Sequence, residues 1–292
     1  MTDEHTRAGV AAAIAVGARH GLPTGAPEVL HFKSNVLVRL GPVVARVPGT
    51  TRLVRASPED WLARDVELSK HLTERAVLVV SPTTDPPAGP HFAHGLPVTL
   101  WQYTPHEPGH TLSPREVALS LARVHAALAD YPGALPELGP VRQLRTLLDR
   151  HGSAMAGAAP RLSEELERIA AALPADEVRP LHGDAHRGNV IATAAGPCWL
   201  DFEDTWRGPL GWDLGVLYAE AGSATLDAYP ADVAPSSLEP FIALRRLFEV
   251  PWRFVIARRF PERLPEAEAA LERYFQRNRS PTREGMSTQV GD

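Results

Sequence analysis

The chain has 292 residues, 44% hydrophobic and 22% charged, which is enough apolar material for a large core and too much for a disordered chain. A formal net charge of −5 gives no basic excess for nucleic acid or an anionic membrane, and no apolar run approaches the roughly 20 residues that span a bilayer. The one cysteine, Cys198, excludes an intrachain disulfide, and the acidic start Met1-Thr2-Asp3-Glu4 does not read as a secretion signal, so a cytosolic protein is expected.

The Ala-rich run between Arg7 and Arg19 reads as a short helix. Three strands follow at Val29–Phe32, Val36–Val38 and Val43–Val47, the last two joined by the turn Gly41-Pro42. Ser57-Pro58-Glu59-Asp60 opens a helix that runs to about Leu72, with serine at the N-cap and acids in the first turn. Val77–Val80 and Val98–Trp101 read as further strands flanking a Pro-rich loop. Thr104-Pro105 and Glu107-Pro108-Gly109 mark a boundary, beyond which the pattern turns helical. Ser113-Pro114-Arg115-Glu116 is a capping box, followed by the apolar stripe Val117, Leu121, Val124 and Leu128. Ser163 caps a helix to about Leu173, and short strands lie near 189–192 and 198–202. Helices are expected at 211–222, 236–259 and 263–277, the second kinked or split at Pro251, with a polar, disordered tail over 280–292. The fold class is α+β, with a strand-rich first lobe over 1–103 and a larger, mainly helical second lobe over 104–279. A ligand cleft is expected between them.

The chemistry concentrates in Leu181-His182-Gly183-Asp184-Ala185-His186-Arg187-Gly188-Asn189 and, after one apolar strand, Asp201-Phe202-Glu203-Asp204. Two acids and an amide converge at the mouth of a hairpin. Phosphoryl transfer needs such a set: a carboxylate to orient the attacking hydroxyl, and hard oxygen ligands for a magnesium ion. Asp184 and Asn189 are five apart, as are the Asp and Asn of the protein-kinase catalytic loop. Asp201-Phe202-Glu203 stands in the place of the metal-binding Asp-Phe-Gly motif. His182 and His186, four apart, raise a zinc reading. Gly183 and Gly188 disfavour the helix such a pair needs, and no third ligand is evident.

These segments resemble the aminoglycoside phosphotransferase and choline-kinase-like family of small-molecule kinases. Gly208-Pro209-Leu210-Gly211-Trp212-Asp213-Leu214 and Leu121-Ala122-Arg123-Val124-His125 agree with further pieces of its pattern, as does Val98–Tyr103. The resemblance implies a bilobal, protein-kinase-like fold and transfer of the γ-phosphate of ATP or GTP, with Mg2+, to a hydroxyl of a small molecule. Asp184 becomes the catalytic residue, Asn189 and Asp201 the magnesium ligands, and His182 and Asp213 the support of the catalytic loop. The backbone at Gln102 and Tyr103 would meet the nucleobase. Arg46 stands where kinases carry a phosphate-binding lysine, and it can grip two oxygens at once. Asp65, or in second place Glu67, would pair with it. Ser34, and Lys33 beside it, would lie over the phosphates in a loop without the usual glycines. The acceptor is expected to be an antibiotic or related metabolite, an aminoglycoside first. Glu203, Asp204 and Glu249 would supply the acidic lining that a polycation requires. The competing readings are a kinase of a sugar or amino alcohol, a protein kinase, and a non-catalytic nucleotide-binding module. Nothing in the sequence matches the long activation segment of a protein kinase.

Overall fold

The computed structural model describes residues 4–174 and 177–278. The expected tail over 280–292 lies outside the described residues. The first helix, α1 (Glu4–Arg19), packs on an antiparallel sheet of five strands. These are β1 (Glu28–His31), β2 (Asn35–Leu40), β3 (Val43–Pro48), β4 (His91–Ala93) and β5 (Leu96–Gln102), in the order β1-β2-β3-β5-β4. Alternation in β2 turns Val36, Val38 and Leu40 inward against Ala12, Ala13 and Val16 of α1. Gly9 lets the helix approach, since a Cβ there would stand 3.0 Å from Val36.

After the sheet's third strand comes α2 (Pro58–Glu74), with Ser57 at its N-cap but no side-chain cap bond. It belongs to both halves of the molecule. Val66 packs on Trp101 and Ala88, whereas Leu68 and Leu72 join the second, larger core. That core is built from α3 (Pro114–Leu128), α4 (Gly139–His151), α5 (Ala159–Ala172), α6 (Gly211–Ala221), α7 (Ser223–Leu226), α8 (Glu239–Arg259) and α9 (Leu264–Arg277). Two small hairpin-like pairs are set among them. β6 (Val178–Leu181) pairs with β9 (Trp206–Pro209), and β7 (Val190–Thr193) with β8 (Gly196–Trp199). The arrangement is the α+β fold expected, strand-rich first and helical after. No described helix is long and apolar enough to cross a membrane.

Several elements differ from the sequence reading. Val77–Val80 is not a strand of the sheet. Val79 forms one isolated bridge to Trp199 of β8, and Val80 N–H donates to the Trp199 carbonyl at 2.8 Å, so this apolar run docks on the second half instead. Ser163 lies inside α5, which starts four residues earlier at Ala159-Pro160. The capping box at Ser113 is present, with both reciprocal bonds to Glu116. The helix expected from 236 opens later. Residues Pro235–Leu238 form a single 3-10 turn and α8 begins at Glu239-Pro240. α8 then runs unbroken through Pro251, whose ring sits buried in the core.

Candidate active site

The pairing of β6 with β9 carries the chain from Leu181 into the polar loop, and α6 follows directly after β9. Asp213 in the first turn of α6 reaches back to that loop. Its carboxylate accepts from His182 N–H at 2.8 Å, Gly183 N–H at 3.0 Å and His125 Nε2 at 2.8 Å, all buried. Trp212 Nε1 donates to the Gly183 carbonyl at 2.6 Å. Gly183 itself has φ +90°, and a Cβ there would lie 2.0 Å from the Asp204 carbonyl oxygen, so the turn admits only glycine. The His182 ring sits against Trp199 and Phe202, with Nε2 3.1 Å from the Leu200 carbonyl. Burial pushes this imidazole down to about 4 against the pull of Asp213 and Asp184, so it is neutral.

The braced loop delivers Asp184 half-buried into the cleft. Its Oδ1 is 2.7 Å from Arg245 Nη1 of α8, and its Oδ2 is 3.3 Å from His186 Nε2. Burial works to raise this carboxyl, but Arg245 and His186 outweigh it and hold the group well below the usual carboxylate range. Asn189 Nδ2 donates to Asp184 O at 2.9 Å and to Oδ2 at 3.2 Å. The amide nitrogen is thus committed to Asp184, which leaves the Asn189 oxygen for another partner. Asp201 adopts the left-handed conformation (φ 70°) just after β8.

From the sheet side comes Arg46 on β3. It bonds Asp65 of α2, Asp201 Oδ1 at 2.7 Å and Glu203 Oε2 at 2.6 Å. With its amide oxygen turned inward, Asn35 accepts from Arg46 Nη2 at 2.9 Å. Asp65 also takes the Phe202 N–H at 2.8 Å. Burial, then the neighbouring Asp201 and Glu203, push the Asp65 carboxyl up to about 7 despite Arg46. Of the two acids weighed for Arg46, the structure brings Asp65 to it. Glu67 points outward to Lys70 at 3.1 Å.

The N–H groups of Gln102 and Tyr103 are engaged by the carbonyls of Ser81 (2.9 Å) and Pro42 (2.8 Å), so neither is open to a nucleobase as a donor. Carbonyls and side chains at 102–104 remain for that purpose. Ser34 lines the cleft, with its carbonyl accepting from Gly49 and Thr50 N–H. Glu203 lines the cavity but is buried between Arg46 and Arg55, the latter 2.5 Å away. Asp204 lies 2.8 Å from Arg55 and Glu249 3.5 Å from Arg245. The acids expected to line an acceptor site are therefore already paired. Sequence reasoning missed Arg55, Arg245 and His125, whose partners lie dozens of residues away along the chain.

Asp184, Asn189, Asp201, Arg46, Arg55 and Arg245 line one cavity of about 1040 Å³, which Trp101–Thr104, Trp61, Arg64 and Trp252 also wall. That volume exceeds the few hundred Å3 of a small single-ligand pocket, which suits two ligands meeting at Asp184. Among the described residues no three His, Cys, Asp or Glu side chains gather to hold a metal by themselves. Asn189 and Asp201 offer two hard oxygen ligands. Such a set fits a magnesium ion whose other ligands are phosphates and water.

The sequence profile of the phosphotransferase enzyme family matches residues 33–245, well over half of the chain. No curated protein matches it by sequence. Among solved structures it is similar to the GDP and kanamycin complex of APH(2")-IIia, at 15% identity and TM-score 0.63 over 87% of this chain and 94% of that one. It is similar also to choline kinase LicA from Streptococcus pneumoniae, at 17% identity and TM-score 0.59 over 89% and 98%. Amicoumacin kinase hAmiN, in complex with AMP-PNP, Ca2+ and Ami, gives 14% and 0.59 over 88% and 92%. At such identities the likeness of structures concerns the fold.

Proposed function

We propose that this chain, which belongs to the phosphotransferase enzyme family, moves the γ-phosphate of ATP or GTP onto a hydroxyl of a small molecule, with Asp184 orienting that hydroxyl. The observation that carries the reading is the convergence of Asp184, Asn189, Asp201 and Arg46 on one cleft. Residues 1–103 form the nucleotide-holding lobe in this reading and 104–279 the catalytic lobe. A cytosolic location, where nucleoside triphosphates are plentiful, goes with it.

In the step, the acceptor oxygen forms a bond to the γ-phosphorus as the bond to the bridging oxygen breaks, and the nucleoside diphosphate leaves. The hydroxyl proton passes to Asp184 or through it to water. A carboxylate held well below its ordinary range is a weak base, so Asp184 contributes chiefly by orienting the hydroxyl, with proton loss late. Asn189 and Asp201 would hold magnesium, which supplies charge neutralisation between the phosphates. Arg46, with Asp201 committed to the ion, would offer one edge of its fork to phosphate oxygens. The Ser34 loop would lie over the phosphates, and the chain at Gln102 and Tyr103 beside the base.

The test is release of nucleoside diphosphate, coupled to a reporter, from ATP and from GTP across a panel of hydroxylated acceptors. Acceptor-dependent release that vanishes in Asp184→Asn is the expected result. Nucleotide binding without turnover on any acceptor would favour the non-catalytic module.

A further inference from the structure

The oxygen of Asp184 that an incoming hydroxyl must reach already holds a guanidinium. Oδ2 is shared by Asn189 and His186, so Oδ1 is the oxygen left for the acceptor, and Arg245 Nη1 stands on it at 2.7 Å. A hydroxyl entering there displaces the guanidinium or pulls it aside. Arg245 is mostly buried, and its second carboxylate, Glu249, is 3.5 Å from Nε. A mostly buried cation that loses its ion pair needs another anion, because solvent no longer compensates it fully.

The rest of the lining carries two carboxylates outside any ion pair among the described residues, Asp60 and Glu137, and more arginine than these can match. Arg64 on α2 and Arg142 and Arg150 on α4 line the same cavity, and among the described residues none of them forms an ion pair. Arg64 and Arg150 make only long bonds to the carbonyls of Glu203 (3.5 Å) and Val54 (3.4 Å). Between these arginines the wall is aromatic. Trp61 lies under Arg55 and Arg64, 3.9 and 5.0 Å from its ring, and Phe248 stacks on Trp252 at 22°. A polycation brought here meets Arg64, Arg142 and Arg150, and of the lining acids Glu203, Asp204 and Glu249 are held by Arg46, Arg55 and Arg245.

Resting on the phosphotransfer reading, we propose that the acceptor is an acid-bearing alcohol with an apolar body, whose carboxylate or phosphate takes Arg245 as its hydroxyl takes Asp184. Such a molecule replaces the ion pair it disrupts, and its body lies on the aromatic wall.

The experiment offers matched acceptors to the full chain with Mg2+ and ATP or GTP. Phenyllactate and 2-hydroxy-2-phenylethyl phosphate are the acids, phenyllactamide and 1-phenylethane-1,2-diol their neutral counterparts, phenylalaninol and kanamycin the amines. The expected result is kcat/KM about tenfold or more higher for an acid than for its neutral counterpart, with the amines no better than neutral. Which acid responds separates a carboxylate site from a phosphate site. Arg245→Gln should bring the acid-to-neutral ratio close to one, a ratio that general damage to the enzyme does not alter. Equal rates within the pairs, no turnover of either acid, or preference for an amine would overturn the inference. Turnover of kanamycin or phenylalaninol faster than of either acid, and abolished in Asp184→Asn, would overturn it while leaving phosphotransfer intact. Turnover indifferent to both Asp184 and Asp201 would remove phosphotransfer itself.

Discussion

At Asp184, three donors converge on one carboxylate, and each holds it for a different reason. Asn189 fixes the loop, His186 adds charge, and Arg245 holds Oδ1, the oxygen proposed to meet the acceptor. Asp184→Asn keeps the shape but removes the anion that orients the hydroxyl. Turnover should fall by roughly 10²–10⁴-fold while nucleotide affinity changes little. Steady-state rates and nucleotide titration check this, and a variant at near wild-type rate would take Asp184 out of the step. His182 makes a separate, pH-dependent prediction. Its imidazole titrates at about 4 when folded and near 6.5 when unfolded. Between those values the unfolded chain binds a proton that the folded chain refuses, so stability declines as pH drops through that window. The loss is at most about 3 kcal/mol by pH 4. Melting temperatures from pH 7 to 4 should fall less in His182→Gln than in wild type; parallel curves would mean that the ring titrates normally. Asp184, Asn189, Asp201 and Asp213 were legible because one short stretch carries them at fixed spacing. Arg55 and Arg245 were not, because only the fold sets them against residues 149 and 61 positions away.

α8 links the two ends of the cleft. Arg245 faces Asp184, and fourteen residues on, about 21 Å along the axis, Arg259 enters the first half of the molecule. There it donates to the carbonyls of Phe32 (2.7 Å) and Lys33 and to the hydroxyl of Thr6 (2.8 Å). A Cβ on Gly49 would stand 2.3 Å from Arg259 Nη1, so glycine is what lets the guanidinium in. These bonds fix the 32–35 loop proposed to cover the phosphates. Arg259→Ala should raise the nucleotide KM about tenfold and cost on the order of 1 kcal/mol of stability, since two part-buried carbonyls and the buried Thr6 hydroxyl lose a charged donor. Arg259→Lys should fall between, because a point charge cannot reach both carbonyls as the fork does. Nucleotide kinetics and denaturant midpoints separate the two effects; an unchanged KM would detach the loop from the nucleotide. The clamp had no local signature. Other elements escaped for similar reasons. α4 begins at Gly139-Pro140 after Leu138 in the left-handed conformation, without a polar N-cap. β6 and β9 are four residues each, with Pro180, Gly208 and Pro209 interrupting any alternation. β1, β2, β3, β5 and α3 were legible because short apolar runs between turn signals and a capping box are local, whereas the three-residue β4 offered no such run.

Across the whole molecule, the sheet core and the helical core are separate apolar clusters. What spans them at the cleft is charge: Arg46 and Asp65 on one side, Asp201 and Glu203 on the other. In this state the arginine neutralises the acids that would take magnesium, so metal and nucleotide must arrive together for either to bind well. Magnesium alone has to displace Arg46 from Asp201, and nucleotide alone brings phosphates against a net negative cluster. Binding of the pair then stabilises the folded chain by mass action, about 2.7 kcal/mol at one hundred times Kd. For a chain of this size that corresponds to a rise in Tm on the order of 5 °C. The expected pattern is a full shift with Mg2+ and a nonhydrolysable triphosphate, and little with either one. Asp201→Ala should abolish the magnesium-dependent part while the ligand-free Tm stays within a few degrees, because Asp65 and Glu203 still pair with Arg46. Differential scanning measurements over a grid of nucleotide and Mg2+ concentrations resolve the cooperativity. Additive shifts from the two ligands, or a magnesium dependence that survives Asp201→Ala, would place the metal away from this cluster.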